Sequence, residues 1–411
     1  MNISEPLELL GGLSPQLFMK RHWQKKPLLI RKALPGFKPL LSRSELFALA
    51  SLDDVQSRLI TLTPSVLVAS PQKSTQKASQ PLKAKSLVQD IWRLQNGPFQ
   101  RRALPSLKTP HWTLLVQAVD LKVAEVQALR DQFRFVPDAR LDDVMISYAS
   151  EGGGVGPHFD SYDVFLLQAQ GQRRWRIGKS KNLKLRDDVP LKILSHFEAE
   201  QEWVLEPGDM LYLPPRYAHD GVAVGGDCMT YSIGFRAPKT SELAHELLSR
   251  IAEQALDDAS DRFYQDPYQQ AVQHPAEMPS GLLSFARQVL NHTLSLALNS
   301  DQDLARNLGE YLTEPAAHVW FGVQDVLELD TKQRDWPKVL CLHPCTKMLY
   351  DDHHVFINGE SFRTSGRDAV WVKHLADTRR LSTLQFLKLS PQAKGLLLNW
   401  MYAGWIQKSP E

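Results

Sequence analysis

The sequence predicts an α+β protein built around an antiparallel β-sandwich or barrel, with a helical module and a small mixed α+β unit after it. Three observations carry this reading. Between about Leu141 and Ala237, short strand-like segments follow one another across Gly, Pro, Asp and Asn clusters, with no room for crossover helices. From Thr240 the apolar period becomes 3.6 residues. After Lys338, short β-segments and amphipathic helices alternate. The 411 residues are enough for about two or three domains. A composition of 43% hydrophobic and 23% charged residues excludes whole-chain disorder, collagen-like repeats and coiled coil.

Along the chain, Arg21 to Lys32 reads as a short helix followed by the extended segment Pro27-Leu28-Leu29-Ile30. Ser70 to Ser86 holds four Lys, four Ser, three Gln and two Pro, and reads as a mobile loop because it has too little apolar surface to offset ordering entropy. Helical spacing is expected around Trp112-Leu115-Val116-Val119 and again around Val126-Leu129-Phe133. Strands are expected at Val144–Ser150, Val164–Gln168, Arg174–Ile177, Trp203–Leu205, Met210–Leu213 and Met229–Phe235. Helices follow on Leu243-Leu247-Ile251-Ala255, on Leu282 to Thr293, and on Leu304-Leu308-Tyr311 behind a Ser300 N-cap. The final segment offers strands at Lys347–Tyr350 and Val355–Ile357. A helix through Ala369-Val372-Leu375 comes next, and another runs from Pro391, behind Ser390, to Gly404.

Charge and cysteine content narrow the function. Forty-eight Lys and Arg against 46 Asp and Glu leave a formal charge of +2, so no bulk attraction to nucleic acid or membrane is visible. The three cysteines, Cys228, Cys341 and Cys345, are too few for a disulfide framework and point to a reducing compartment. The first residues lack the basic, then apolar, pattern of a secretory signal, and no apolar run reaches the length of a membrane span. Cytoplasmic location is expected.

The densest chemical feature is Gly152-Gly153-Gly154-Val155-Gly156-Pro157-His158-Phe159-Asp160. On an extended strand His158 and Asp160 point to one face, so an imidazole and a carboxylate can converge on one cation. His219, which follows the turn Pro207-Gly208-Asp209 and an apolar strand, is the candidate third ligand. Two nitrogens and one oxygen leave open positions on an octahedral metal, the ligand set of non-haem Fe(II) oxygenases.

At this point the order His158-x-Asp160, Arg173, the Pro-Gly-Asp strand and His219 resembles the JmjC double-stranded β-helix, a cupin-like barrel, of 2-oxoglutarate oxygenases. Further segments make the likeness more specific: Arg21-His22-Trp23-Gln24-Lys25-Lys26-Pro27, Met145-Ile146-Ser147, Tyr162-Asp163-Val164-Phe165, Arg173-Arg174-Trp175-Arg176, and Tyr231 through Pro238. They are similar to the bacterial ribosomal-protein oxygenases, which hydroxylate an arginine of the large-subunit ribosomal protein numbered sixteen. The resemblance implies a catalytic domain over 1–238, a helical dimerisation domain over 239–325 and a winged helix over 326–411. It implies that His158, Asp160 and His219 hold Fe(II), that 2-oxoglutarate and O2 are consumed, and that Arg173 receives the distal carboxylate of 2-oxoglutarate. A guanidinium fork suits that task because it pairs bidentately and stays charged. Ser147 is implied as a second donor to the cosubstrate, and Met145 and Ser161 as contacts of the substrate side chain. A cationic substrate requires acids, and Asp142, Asp143, Asp163 and Asp220 are the candidates near the mouth.

Other readings stand beside this one. The same site also suits a histidine hydroxylase of another ribosomal protein or an N-methyl-lysine demethylase. A reading from another class is a metal-containing cupin that binds or regulates, with its winged helix on DNA. A ribosomal protein partner and a homodimer are expected, and nucleic-acid binding is not, because Lys388, Lys394 and Lys408 are sparse among Leu and Trp. His196-Phe197-Glu198 is a competing H-x-E that reads as a decoy. Cys341-Leu342-His343-Pro344-Cys345 lacks a fourth zinc ligand and reads as structural, and His353-His354 as a solvated turn.

Overall fold

The computed structural model describes residues 2–64, 90–180, 182–256, 263–271, 273–316, 319–322 and 338–408. The lysine-rich stretch expected as a mobile loop, Ser70 to Ser86, lies outside them. The chain forms two compact units, Met1–Ala237 and Pro238–Glu411.

The first unit opens with helix α1 (Pro15–Arg21), capped by Ser14, whose side chain accepts from the Leu17 amide, and started by Pro15. The helix therefore ends at Arg21. The span from Arg21 to Lys32 is a turn leading into strand β1 (Leu28–Ile30), a correction to the helix expected there. Helix α2 (Arg43–Leu49) starts with a reciprocal Ser42–Glu45 capping box. Strands β2 (Ser57–Thr63), β3 (Ile91–Asn96) and β4 (Trp112–Val116) follow, then helix α3 (Ala124–Asp131) and strand β5 (Leu141–Ala149). The helix expected at Trp112 is β4, a strand with all five residues buried. A strand buried on both faces shows no alternation in its apolar residues, so it mimics a helical stripe.

Strand β6 (Val164–Gly178) joins two segments expected as separate strands. It is followed by β7 (Gln201–Leu205), β8 (Met210–Leu213) and the 18-residue β9 (Ala218–Phe235). The strand order is β1-β8-β6-β9-β5-β4-β2-β3, with β7 also on β6, and all pairs are antiparallel. Register shifts between Gln168 and Gln172 bend the β6–β9 ribbon, so the first part of β6 pairs with β8 and the last part with β7.

The two faces of this sheet have different fates. Val144, Ile146 and Tyr148 of β5, Phe165 and Leu167 of β6, and Tyr231 and Ile233 of β9 join the core formed with Phe18, Leu46 and Leu129 of the helices. Phe18 sits 4.9 Å from Tyr212 and 5.3 Å from Phe165, ring centre to ring centre. The alternate residues Val164, Leu166, Trp175, Ile177, Leu211 and Leu213 form a second cluster on the opposite face. That inner face carries the site.

An ion pair fixes α3 to β5. Arg130 Nη1 donates to Asp120 Oδ2 at 2.6 Å, and Asp120 Oδ1 accepts from the Val144 amide at 2.8 Å, with the Asp120 side chain fully buried. Arg130→Ala leaves that carboxylate unpaired and is expected to cost about 3–5 kcal/mol. Urea unfolding checks this, and a loss under about 1 kcal/mol would count against the pair as a structural clamp.

The second unit begins with α4 (Thr240–Leu256), α5 (Ser280–Leu298) and α6 (Asp301–Thr313), as the 3.6 period predicts. Ser300 caps α6, its side chain accepting from the Asp303 amide at 3.1 Å. Two three-stranded antiparallel sheets follow. One joins β10 (Val339–Leu342), β14 (Arg380–Ser382) and β15 (Ile406–Lys408), and the other β11 (Met348–Tyr350), β12 (His354–Ile357) and β13 (Glu360–Arg363). Around them lie α7 (Gly366–Thr378), α8 (Thr383–Leu387) and α9 (Pro391–Tyr402), with Ser390 capping α9 and Gly404 beyond its end at φ 77°. Among the described residues no helix is long and apolar enough to cross a membrane.

Candidate metal centre and cosubstrate pocket

His158 and His219 are locked together by their backbones. The His158 amide donates to the His219 carbonyl at 2.9 Å and the His219 amide to the His158 carbonyl at 2.8 Å, a two-bond antiparallel bridge. That pairing brings the imidazoles to 4.2 Å between ring centres. Asp160, two residues along, joins them, and one ligand atom from each of the three lies within 4.8 Å of the others. Among the described residues this is the one group of three such side chains.

The hydrogen bonds decide which nitrogens are free. His158 Nδ1 lies 2.9 Å from the Gly156 carbonyl, and His219 Nδ1 lies 2.9 Å from the Tyr217 carbonyl. A carbonyl only accepts, so both Nδ1 atoms carry the proton and both Nε2 atoms present a lone pair. Burial, reinforced by the neighbouring His158, pushes the His219 pKa down to about 4, so its imidazole is neutral near pH 7. Two imidazoles that present Nε2 and a carboxylate match the donor set of a divalent iron site with open positions.

A second group lies on the same inner face. Ile177 pairs with His219, Trp175 with Gly221, and Arg173 with Ala223 across β6 and β9, so the three side chains of β6 project beside His219. Arg173 is 4% exposed, and its Nη1 donates to the Gly221 carbonyl at 3.3 Å. Its Nε and Nη2 are buried without a partner. A buried guanidinium with two idle N–H groups is chemically suited to a carboxylate. The Gly-rich loop closes on this pocket: Gly154 packs so closely that a Cβ there would sit 2.6 Å from the Gly221 carbonyl oxygen.

Ser147 is buried on β5, and its hydroxyl donates to the Thr230 carbonyl at 3.3 Å. Met145 is half-buried on the same face of β5, opposite Ser232. Ser161 is exposed in the bend after Asp160.

Of the four acids, Asp163 accepts from Tyr212 and Gln24, Asp220 pairs with Arg176, and Asp142 is exposed. Asp143 differs. Its Oδ2 accepts from the Ala118 amide at 2.7 Å and, in the orientation that satisfies both neighbours, from the Gln117 side-chain amide at 3.2 Å. Its Oδ1 lies 3.7 Å from the position a Cβ would take on Gly234, where the Tyr162 ring also approaches to 3.9 Å. Burial and the neighbouring Asp142 and Asp120 push the Asp143 pKa up to about 7.

His196 and Glu198 are exposed and bond each other at 3.1 Å, and neither joins the three-residue group, as a decoy should. Trp175 and Gly221 are the site residues that sequence reasoning did not single out. The signal was present in their spacing, each two positions from Arg173 or His219 on a strand.

An antiparallel barrel with two imidazoles and a carboxylate on its inner face, and a buried arginine beside them, defines a metal-dependent oxygenase of the JmjC class. The comparisons agree: the family model described as a JmjC domain matches residues 128–243, and one described as a ROXA-like winged helix matches residues 290–407. The ribosomal protein uL16 3-hydroxylase of Escherichia coli K12 is 36% identical over 298 residues, 72% of this chain and 70% of that protein. The X-ray structure of E. coli YcfD superposes with a TM-score of 0.75 at 30% identity, covering 95% of this chain and 97% of that one. A second structure of that protein, called a ribosomal oxygenase, holds cobalt and 2-oxoglutarate. It superposes with a TM-score of 0.70 at 29% identity and covers 96% of this chain and 98% of that one. The chain belongs to the JmjC-domain ribosomal oxygenases.

Proposed function

We propose that this protein is an Fe(II)- and 2-oxoglutarate-dependent oxygenase that hydroxylates an arginine side chain of ribosomal protein uL16. The observation that carries the reading is the pairing of a three-ligand group bearing two free Nε2 atoms with a buried arginine whose Nε and Nη2 are unused. His158, Asp160 and His219 hold the metal, and Arg173 holds the distal carboxylate of 2-oxoglutarate. When bound, iron and 2-oxoglutarate supply the oxidation of an unactivated C–H bond with O2, releasing succinate and CO2.

The protein's own work is placement. The backbone bridge sets the spacing of the two imidazoles, and the carbonyls of Gly156 and Tyr217 hold their tautomers. The Val164-to-Leu213 cluster excludes water behind the site. Ser147, on the same face as Met145, would turn its hydroxyl away from the Thr230 carbonyl to become the second hydrogen-bond donor to the cosubstrate. Met145 and Ser161 border the substrate side chain. Asp143 receives its cation, because two donors occupy Oδ2 and leave Oδ1 toward the inner face beside Tyr162.

With its folded pKa near 7, Asp143 is half protonated in the free protein at that pH. A cation needs the charged form, so KM for the substrate should rise as pH falls below about 7, by up to ~10-fold per unit, and level off above it. In Asp143→Asn the KM should be high and indifferent to pH between 6 and 8. A wild-type slope retained in Asp143→Asn would assign the titration to another group.

The chain is read as three domains: catalytic over 1–238, helical over 239–325 and winged helix over 326–411. Leu248, Leu283, Leu290 and Leu298 of α4 and α5 are exposed, and a second copy of the chain is their partner in a homodimer. Light scattering reads this directly, and a monomer at micromolar concentration would refute it. A ribosomal substrate supports a cytoplasmic reaction, and no nucleic-acid role is assigned to the winged helix.

The deciding experiment is mass spectrometry of ribosomal proteins from cells with and without this protein, matched to succinate release by the purified enzyme with uL16 peptides. A shift of one oxygen atom on one uL16 arginine is expected. Its absence, with a shift on a histidine or a lost methyl group elsewhere, would overturn the arginine assignment.

A further inference from the structure

We infer that Trp175 is the length gauge of the cosubstrate pocket, selecting a five-carbon 2-oxo diacid against longer ones. The inference rests on the oxygenase reading, since it concerns the space between the proposed metal ligands and Arg173. The β6–β9 register places three rows on the inner face: Ile177 with His219, Trp175 with Gly221, and Arg173 with Ala223. The metal end and the cation end are therefore two rows apart, about 13 Å along the backbone. The middle row holds only one side chain.

That side chain lies across its partner's vacant place. A Cβ on Gly221 would sit 2.5 Å from Trp175 Cζ3 and 2.6 Å from its Cη2, so the indole rests directly on the glycine backbone. The ring reaches both ends of the pocket, with its centre 5.8 Å from that of His219 and 5.8 Å from Arg173 Cζ. Behind it, Ile177, Leu205, Leu211 and Leu213 fill the space, and the Gly154 backbone presses on the Gly221 carbonyl that holds Arg173. A closely packed ring has little room to yield. The row between the proposed metal ligands and the guanidinium is therefore filled by an aromatic ring bedded on a glycine, and a ligand that spans this row must fit against that ring.

The test is calorimetric binding of 2-oxoglutarate and 2-oxoadipate, one methylene longer, to the cobalt-loaded full-length protein. Cobalt titration of each variant confirms that the metal end is intact. The wild type should prefer 2-oxoglutarate by at least ~10-fold, the scale on which a pocket senses one methylene. Trp175→Leu should keep cobalt affinity and lose that preference or reverse it. Gly221→Ala, which forces the ring off its bed, should weaken 2-oxoglutarate by ~10-fold or more with cobalt binding unchanged. If the leucine variant does not fold, Trp175→Phe carries the same expectation with a smaller shift. A preference ratio equal to the wild type's in a folded Trp175 variant overturns the gauge. A wild-type cobalt form that binds neither acid overturns the oxygenase reading instead.

Discussion

His158→Ala is expected to abolish metal binding and hydroxylation together. The imidazole Nε2 is one of three donor atoms gathered within 4.8 Å, and its loss leaves one nitrogen and one carboxylate, too few to hold a divalent ion against water. Loss of a group that only orients a metal ligand costs 10–100-fold in affinity, so loss of the ligand itself should exceed about 100-fold. The fold should survive, because the bridge to His219 is made by backbone atoms that alanine retains. Cobalt titration by visible absorption, with circular dichroism as the folding control, reads both points. His196→Ala is the matched comparison and should change neither, since its partner is the exposed Glu198. Retained cobalt affinity in His158→Ala would end the proposal that this triad is the iron site.

Arg173→Ala should produce the second largest effect, and a different one: metal affinity stays, while the requirement for 2-oxoglutarate rises. The guanidinium is almost fully buried, and its idle Nε and Nη2 face no other acceptor among the described residues. Truncating one partner of a buried, hydrogen-bonded charge pair costs about 2–5 kcal/mol, so the cosubstrate KM should rise by roughly 30-fold or more. Arg173→Lys keeps the charge but loses the planar fork, and should fall between the wild type and alanine. Steady-state kinetics in 2-oxoglutarate, with cobalt affinity measured in parallel, separates the two ends of the pocket. An unchanged KM in Arg173→Ala would remove that residue from the site.

Much of this site was legible before any coordinates. Two-residue spacing puts His158 and Asp160 on one face of an extended chain, and the Pro-Gly-Asp turn marks the strand that delivers His219. The caps at Ser300 and Ser390, and the 3.6 period behind them, also located their helices, because capping and amphipathicity are local interactions. Strands buried on both faces misled: Trp112–Val116 shows no alternation to distinguish strand from helix. Residues 169–173 and 225–227 fell between or before the expected strands, yet they are bulged parts of two long strands whose pairing partners lie far along the chain.

The sequence alone picked out the proposed metal ligands His158, Asp160 and His219 and the proposed carboxylate partner Arg173, because these readings rest on residue type and short spacing. Only the tertiary structure singles out Asp143 as the proposed acid for the substrate and Trp175 as the side chain between the triad and Arg173. Asp143 differs from Asp163 and Asp220 only through distant partners that leave one of its oxygens open, while Trp175 meets Gly221 only because β6 and β9 pair in one register. Residue chemistry is written locally, but orientation and pairing arise from contacts between segments that the linear order does not bring together.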